Sequence, residues 1–150
     1  MASAYKDKVL RQDAACLDRL TATGPARGRR SAAPLSFEDF ILLVIAQDFS
    51  DMDPHWRPQY YEGAFEIIRY DAVGRLETLE RDLCHVFGRI GGSSAWIADR
   101  LTRLNATGAI VGLWDQVSAR TIDAFVHRYG CDFVRFGYDP SLGSDRGARL

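Results

Sequence analysis

Four stretches of this chain repeat apolar residues at helical intervals. The first places Tyr5, Val9, Leu10, Leu17 and Leu20 at approximate helical spacing within residues 4 to 20, and the breakers Gly24, Pro25 and Gly28 end any helix there. The second opens at Ser36, a good N-cap with Asp39 at the capping-box position. Its broad stripe of Phe37, Phe40, Ile41, Val44 and Ile45 predicts a buried helix from Ser36 to about Asp48. The third runs through Leu76, Leu79, Leu83, Val86, Phe87 and Ile90, with Gly91 and Gly92 as its stop and Glu77 four residues before Arg81 as a supporting pair. The fourth starts at a Ser118 cap and follows Ile122, Phe125, Val126, Tyr129, Phe133 and Phe136 in helical phase through Gly130. Gly137 ends it, and the residues from about Ser141 read as a disordered tail.

The segments between these helices are less regular. Phe65 to Tyr70 is short and rich in β-branched and aromatic residues, which predicts a strand, with Asp71 to Gly74 as the turn of a strand, turn, helix unit. Thr23 to Pro34 is a loop whose Arg27, Arg29 and Arg30 read as solvated side chains. Ser93 to Ala109 is either a short helix around Trp96 to Leu104 or an ordered loop, with an Asx-type turn at Asn105. Pro54 and Pro58 bracket His55, Trp56 and Arg57; two prolines preset the backbone and remove donors, so this is an ordered irregular loop and the first place to look for a site. From periodicity the fold is mostly α with one or two strands.

Composition narrows the function. With 150 residues, 47% hydrophobic and 26% charged, the chain has the makeup of a soluble globular domain, which excludes disorder as its main state. The 19 Lys+Arg balance 20 Asp+Glu at a net charge of −1, which removes the footprint of a general nucleic-acid binder and makes any anion site local. The longest strictly apolar run, Phe40 to Ala46, is far short of the roughly 18 residues that span a bilayer. The N-terminus also lacks the basic-then-apolar order of a signal peptide, so a cytoplasmic protein without membrane contact is expected. Cys16, Cys84 and Cys131 form neither a disulfide framework nor a zinc site, and read as small buried hydrophobes; no metal site is expected. Lys6 and Lys8 are the two lysines; the arginine bias suits bidentate recognition of phosphate or sulfate but decides nothing alone. There is no internal repeat and no GxxxxGK[ST], GxGxxG, HExxH or GxSxG motif. Glu77, Glu80 and Asp82 read as solvated helix charges, His85 and His127 as surface histidines.

Three segments taken in order carry more information. They are Asp53-Pro54-His55-Trp56-Arg57-Pro58-Gln59, then Tyr70 through Leu83 (YDAVGRLETLERDL), then Tyr129 through Tyr138 (YGCDFVRFGY). They resemble the HWxP loop, the YDxxGxxExLxxD element and the closing YxxDFxxFGY helix of the sulfotransferase family that includes the carbohydrate sulfotransferases and their bacterial relatives. Ser3-Ala4-Tyr5-Lys6-Asp7-Lys8 is similar to the SAYxDK that closes that family's 3′-phosphate-binding motif. By this resemblance Ser3 is the nucleotide-contacting serine, and Tyr5 beside it reads as a packing residue of the first helix. The resemblance implies the C-terminal part of a P-loop-like α/β domain, a partial domain over residues 1–140 followed by a flexible tail over 141–150. The loop for the 5′-phosphosulfate, its strand and the arginine before the serine would then lie upstream of residue 1. The implied donor is 3′-phosphoadenosine-5′-phosphosulfate and the implied acceptor a hydroxyl of a carbohydrate or similar small molecule.

Sulfuryl transfer, like phosphoryl transfer, needs donor and acceptor in line, cations on the equatorial oxygens and a base for the acceptor proton. Two roles are open to His55: a base or acceptor contact, or a loop residue that caps backbone carbonyls while Trp56 packs in the core. Arg57 likewise either holds a sulfate or acidic sugar by a bidentate contact or caps the backbone. Two functions stay open as well. One is a sulfotransferase, inactive as these 150 residues alone and weak or silent toward nucleotide. The other is a non-enzymatic helical interaction module, with self-association through exposed apolar surface.

Overall fold

The computed structural model describes residues 1–22, 35–93 and 112–140. The loop over Thr23–Pro34, the readings over residues 94–109 and the tail over 141–150 lie outside the described residues. The chain divides into two units, Met1–Gly63 with Ala109–Leu150, and Ala64–Gly108. In chain order the helices are α1 (Ala2–Ala4), α2 (Ala14–Ala22), α3 (Phe37–Ile45), α4 (Gln59–Glu62), α5 (Leu79–Arg89), α6 (Ala119–Arg128) and α7 (Gly130–Phe136).

In the first unit α1 runs directly into a π-helical segment, Tyr5–Leu10. The stretch over residues 4 to 20 is thus two helices, broken where Gln12 takes a left-handed φ of 56°. Asp13 explains the restart: its carboxylate accepts the Cys16 N–H at 3.2 Å and caps α2. Ser36 caps α3 as its sequence predicts, its hydroxyl accepting the Asp39 N–H at 3.1 Å. The helix ends at Ile45 rather than near Asp48, because Gln47 is buried and its side chain bonds elsewhere, to Trp56 and to the Arg19 carbonyl.

Phe40, Ile41 and Val44 are fully buried, and they share one core cluster with Tyr5, Val9, Leu20, Met52, Trp56, Phe125 and Tyr129. Aromatic edges set its geometry, with Phe37 against Trp114 at 5.1 Å and Phe40 against Trp56 at 5.7 Å between ring centres. The helix predicted from Ser118 is present as α6 and α7, which meet at Tyr129 just before Gly130. Ser118 accepts the Thr121 N–H as the N-cap, and Gly137 at φ 63° ends α7. Glu38 of α3 accepts from the Ser118 N–H at 3.1 Å and the Thr121 hydroxyl at 2.8 Å, tying α3 to the start of α6.

In the second unit the expected strand from Phe65 to Tyr70 is not formed, and no strand occurs among the described residues. The chain curls there instead: Ala64 has φ 49°, the Ile67 and Ile68 N–H groups both donate to its carbonyl, and the Phe65 and Tyr70 rings meet at 4.7 Å. β-Propensity reports fit to a paired, half-buried sheet, and a segment with no partner strand has none of that gain. The fold class is therefore mostly helical. The third apolar stretch is a short 3₁₀ turn, Leu76–Thr78, followed by α5. Gly91 at φ 79° ends it, and the Gly92 N–H closes on the Phe87 carbonyl at 2.7 Å, the six-to-one bond of a Schellman stop.

Candidate functional site

In the first unit a cavity of about 460 Å³ is lined by Ser3, His55 and Arg57 together. The start of the chain, the proline-bracketed loop and the last two helices supply its walls, and Trp114, Phe125, Phe133 and Tyr138 make much of it aromatic. All three side chains proposed from sequence thus reach one space, although 52 residues separate the first from the second by numbering (55 − 3). The volume is in the range that small-molecule sites occupy.

The loop is held from both ends. Trp56 is 2% exposed and donates its indole N–H to Gln47 Oε1 at 2.9 Å, a buried bond that fixes the middle of the loop on the core. The Tyr129 hydroxyl donates to the Trp56 carbonyl, and both burial and the nearby Asp132 push that phenol up from its ordinary value. Beyond Pro58, which cannot donate, the Gln59 and Tyr60 N–H groups both donate to the Asp132 carboxylate at 2.9 and 2.8 Å and so start α4. Burial raises the Asp132 carboxyl despite these two N–H bonds. The third sequence segment is therefore a brace for the first.

Within the loop His55 is half exposed, and its ring Nδ1 lies 2.5 Å from Asp53 Oδ1. The same oxygen accepts the His55 backbone N–H at 3.0 Å. Asp53 is buried, and its other oxygen meets Arg19 at 3.2 Å and the Cys16 thiol at 3.7 Å. Burial acts to raise this carboxyl, but the His55 bonds and the Arg19 charge overcome it and hold it below the usual carboxylate value. Cys16 moves the other way, its thiol pushed up by burial and by Asp53. Arg57 is turned to internal partners, donating to the Met52 carbonyl and to Glu62. Arg57 lines the cavity from this fixed position, and its buried Nε has no hydrogen-bond partner.

Ser3 is exposed at the cavity edge, and Tyr5 is buried, donating its hydroxyl to the Leu35 carbonyl at 2.6 Å, so the packing role read for it holds. His85 and His127 are exposed, as expected for surface histidines. Asp82 is more than a solvated charge. It accepts the Arg75 N–H at 2.9 Å and the Thr78 hydroxyl at 2.6 Å, which hold its carboxyl down at about 2, the Thr78 bond first. A Cβ at Gly74 would approach the Asp82 Cβ to 3.2 Å, which accounts for the glycine and the aspartate of the second segment by local geometry. Sequence reasoning gave no site role to Asp53, Tyr129 or Asp132, although Tyr129 was read in the apolar stripe; their places inside the quoted segments were the available signal.

No group of three or more potential metal ligands occurs among the described residues, and no helix among them is long and apolar enough to cross a membrane. The fold and cavity are those of a chain that matches the model of the sulfotransferase family over residues 1–139. The chain belongs to the sulfotransferase family, whose chemistry is sulfuryl transfer to an acceptor. No curated protein and no solved structure matches it.

Proposed function

We propose that this cavity is the acceptor side of a site that moves a sulfuryl group from 3′-phosphoadenosine-5′-phosphosulfate to a hydroxyl of a carbohydrate or similar small molecule. The observation that carries the reading is the convergence of Ser3, His55 and Arg57 on one aromatic-walled cavity. His55, anchored through Nδ1, takes the acceptor proton on its other ring nitrogen. Arg57 presents positive charge at the wall from a position its bonds to Met52 and Glu62 fix, and aromatic walls seat the body of the acceptor.

The donor fits these residues at one point. Ser3, exposed at the cavity edge, is the residue that would meet the 3′-phosphate. When bound, the donor supplies the sulfuryl group.

Calorimetry with 3′-phosphoadenosine-5′-phosphate tests this reading, on this chain and on a product extended upstream in the same reading frame. Binding by the extended product, weakened in Ser3→Ala by about 1.5–3 kcal/mol, the worth of a hydrogen bond to a charged group, supports it. A folded extended product with no affinity overturns it. The interaction-module reading draws on the exposed Ile67, Leu76 and Ile90 of the second unit, and it expects no nucleotide response from either protein.

A further inference from the structure

We infer that Asp53 is a positioning residue for His55, setting which ring nitrogen faces the cavity. The inference rests on the assignment of His55 as the proton acceptor. Neutral imidazole carries its proton on one nitrogen, and the partner of the other nitrogen decides which. Here Nδ1 sits 2.5 Å from Asp53 Oδ1, and a carboxylate can only accept. The proton is therefore on Nδ1, and the lone pair is on Nε2 of a ring that lines the cavity.

Asp53 is built to stay charged and in place. Its side chain is 4% exposed, yet both oxygens are satisfied, Oδ1 by the His55 N–H at 3.0 Å and the ring, Oδ2 by Arg19 at 3.2 Å and the Cys16 thiol at 3.7 Å. Arg19 and Cys16 stand on the same helix, α2, so the carboxylate is anchored on an element outside the loop that carries His55. Pro54 lies between the two residues and fixes the backbone φ there, which keeps the aspartate and histidine in the close turn that the Oδ1 bond to the His55 N–H requires. The bidentate hold on backbone N–H and ring Nδ1 by one oxygen orients the imidazole through its own main chain.

The test reads the tautomer directly. Long-range ¹H–¹⁵N correlation on ¹⁵N-histidine-labelled protein at neutral pH should show His55 as the Nδ1–H form in the wild type, assigned by loss of the signal in His55→Ala. In Asp53→Asn the amide can donate as well as accept, so the population should move toward Nε2–H; in Asp53→Glu, which restores a carboxylate, it should return toward Nδ1–H. Arg19→Ala, which removes a partner of the other oxygen, should leave the tautomer as in the wild type. A wild-type ring found as Nε2–H overturns the inference without recourse to any variant, which covers the case in which Asp53→Asn fails to fold. An unchanged tautomer in folded Asp53→Asn also overturns it. Nucleotide calorimetry is a separate readout: loss of donor affinity with the Nδ1–H ring intact refutes the sulfotransferase site and leaves the positioning of His55 standing.

Discussion

Replacing Trp56 by phenylalanine should destabilise the protein through one buried acceptor. In the folded chain the indole N–H is the donor to Gln47 Oε1 at 2.9 Å, and both residues are 2% exposed, so water cannot take its place without opening the core. Removing one partner of a buried hydrogen bond costs about 1–3 kcal/mol. The lost ring atoms, packed edge-on against Phe40, add roughly 1 kcal/mol of transfer free energy. Trp56→Ala goes further, to about 3–5 kcal/mol for the lost burial and the cavity left behind, a large share of the 5–15 kcal/mol that a domain of ordinary stability possesses. His55→Ala removes a half-exposed ring and one hydrogen bond and should cost about 1 kcal/mol. Urea unfolding followed by far-ultraviolet circular dichroism separates these cases, because at slopes of about 1–3 kcal/mol per molar a loss of 2–4 kcal/mol moves the midpoint by roughly 1–2 M. The expected order of midpoints is wild type, His55→Ala, Trp56→Phe, Trp56→Ala. Adding Gln47→Leu to Trp56→Phe should cost less than the two single changes summed, since both single changes remove the same Trp56–Gln47 hydrogen bond. Equal midpoints for Trp56→Phe and wild type would refute the reasoning.

Acid should act on Asp82. Its folded carboxyl titrates at about 2, below the roughly 3.9 of a free aspartate, so its contribution is fully present above pH 4 and is lost as pH falls toward 2. Asp82→Asn should therefore melt below the wild type at pH 6, with the gap closing by pH 2; a gap independent of pH refutes this. Asp132→Ala removes the acceptor for the Gln59 and Tyr60 N–H groups and should cost about 1 kcal/mol as a lost helix cap, with faster hydrogen exchange at those two amides as the site-specific sign. Unchanged exchange there would contradict the brace. Ile67, Leu76 and Ile90 are 87%, 82% and 73% exposed, so the chain should self-associate or bind a hydrophobic dye; a monodisperse monomer without dye binding speaks against it.

The helices of the first unit were legible because their signals are local. Ser36 and Ser118 each accept the N–H three residues on, and Gly137 takes the left-handed φ that ends α7, so cap and stop residues act within one turn. Two features escaped. The Phe65 to Tyr70 strand was read from residue type alone, and residue type does not supply the neighbouring strand that would make the hydrogen bonds. The break at Gln12 was missed because the apolar spacing from Tyr5 to Leu20 tolerates an interruption, while the Asp13 cap that creates it looks like any polar helix position. Ser3, His55 and Arg57 were named through the resemblance and the loop's chemistry. Their meeting in one cavity depends on bonds such as Tyr129 to Trp56, which span 73 residues and leave no periodic trace.

The division of labour among these residues follows from what positioning requires. A proton acceptor contributes only when its nitrogen is held near the reacting hydroxyl, and displacement by a fraction of an ångström forfeits much of that gain. The two prolines each remove one backbone N–H from the loop, and the Trp56 and Arg57 N–H groups that remain close on the Asp53 carbonyl at 3.0 Å. Asp53 adds its hold on the imidazole from within the segment, and from outside come Gln47 on the indole, Tyr129 on the Trp56 carbonyl and Asp132 on the amides after Pro58. Arg57 is drawn into the same framework by Met52 and Glu62. Most of the chemically suggestive side chains in the first and third segments are thus committed to geometry. His55 and Ser3 line the cavity and are exposed, and through them the site can act on a ligand.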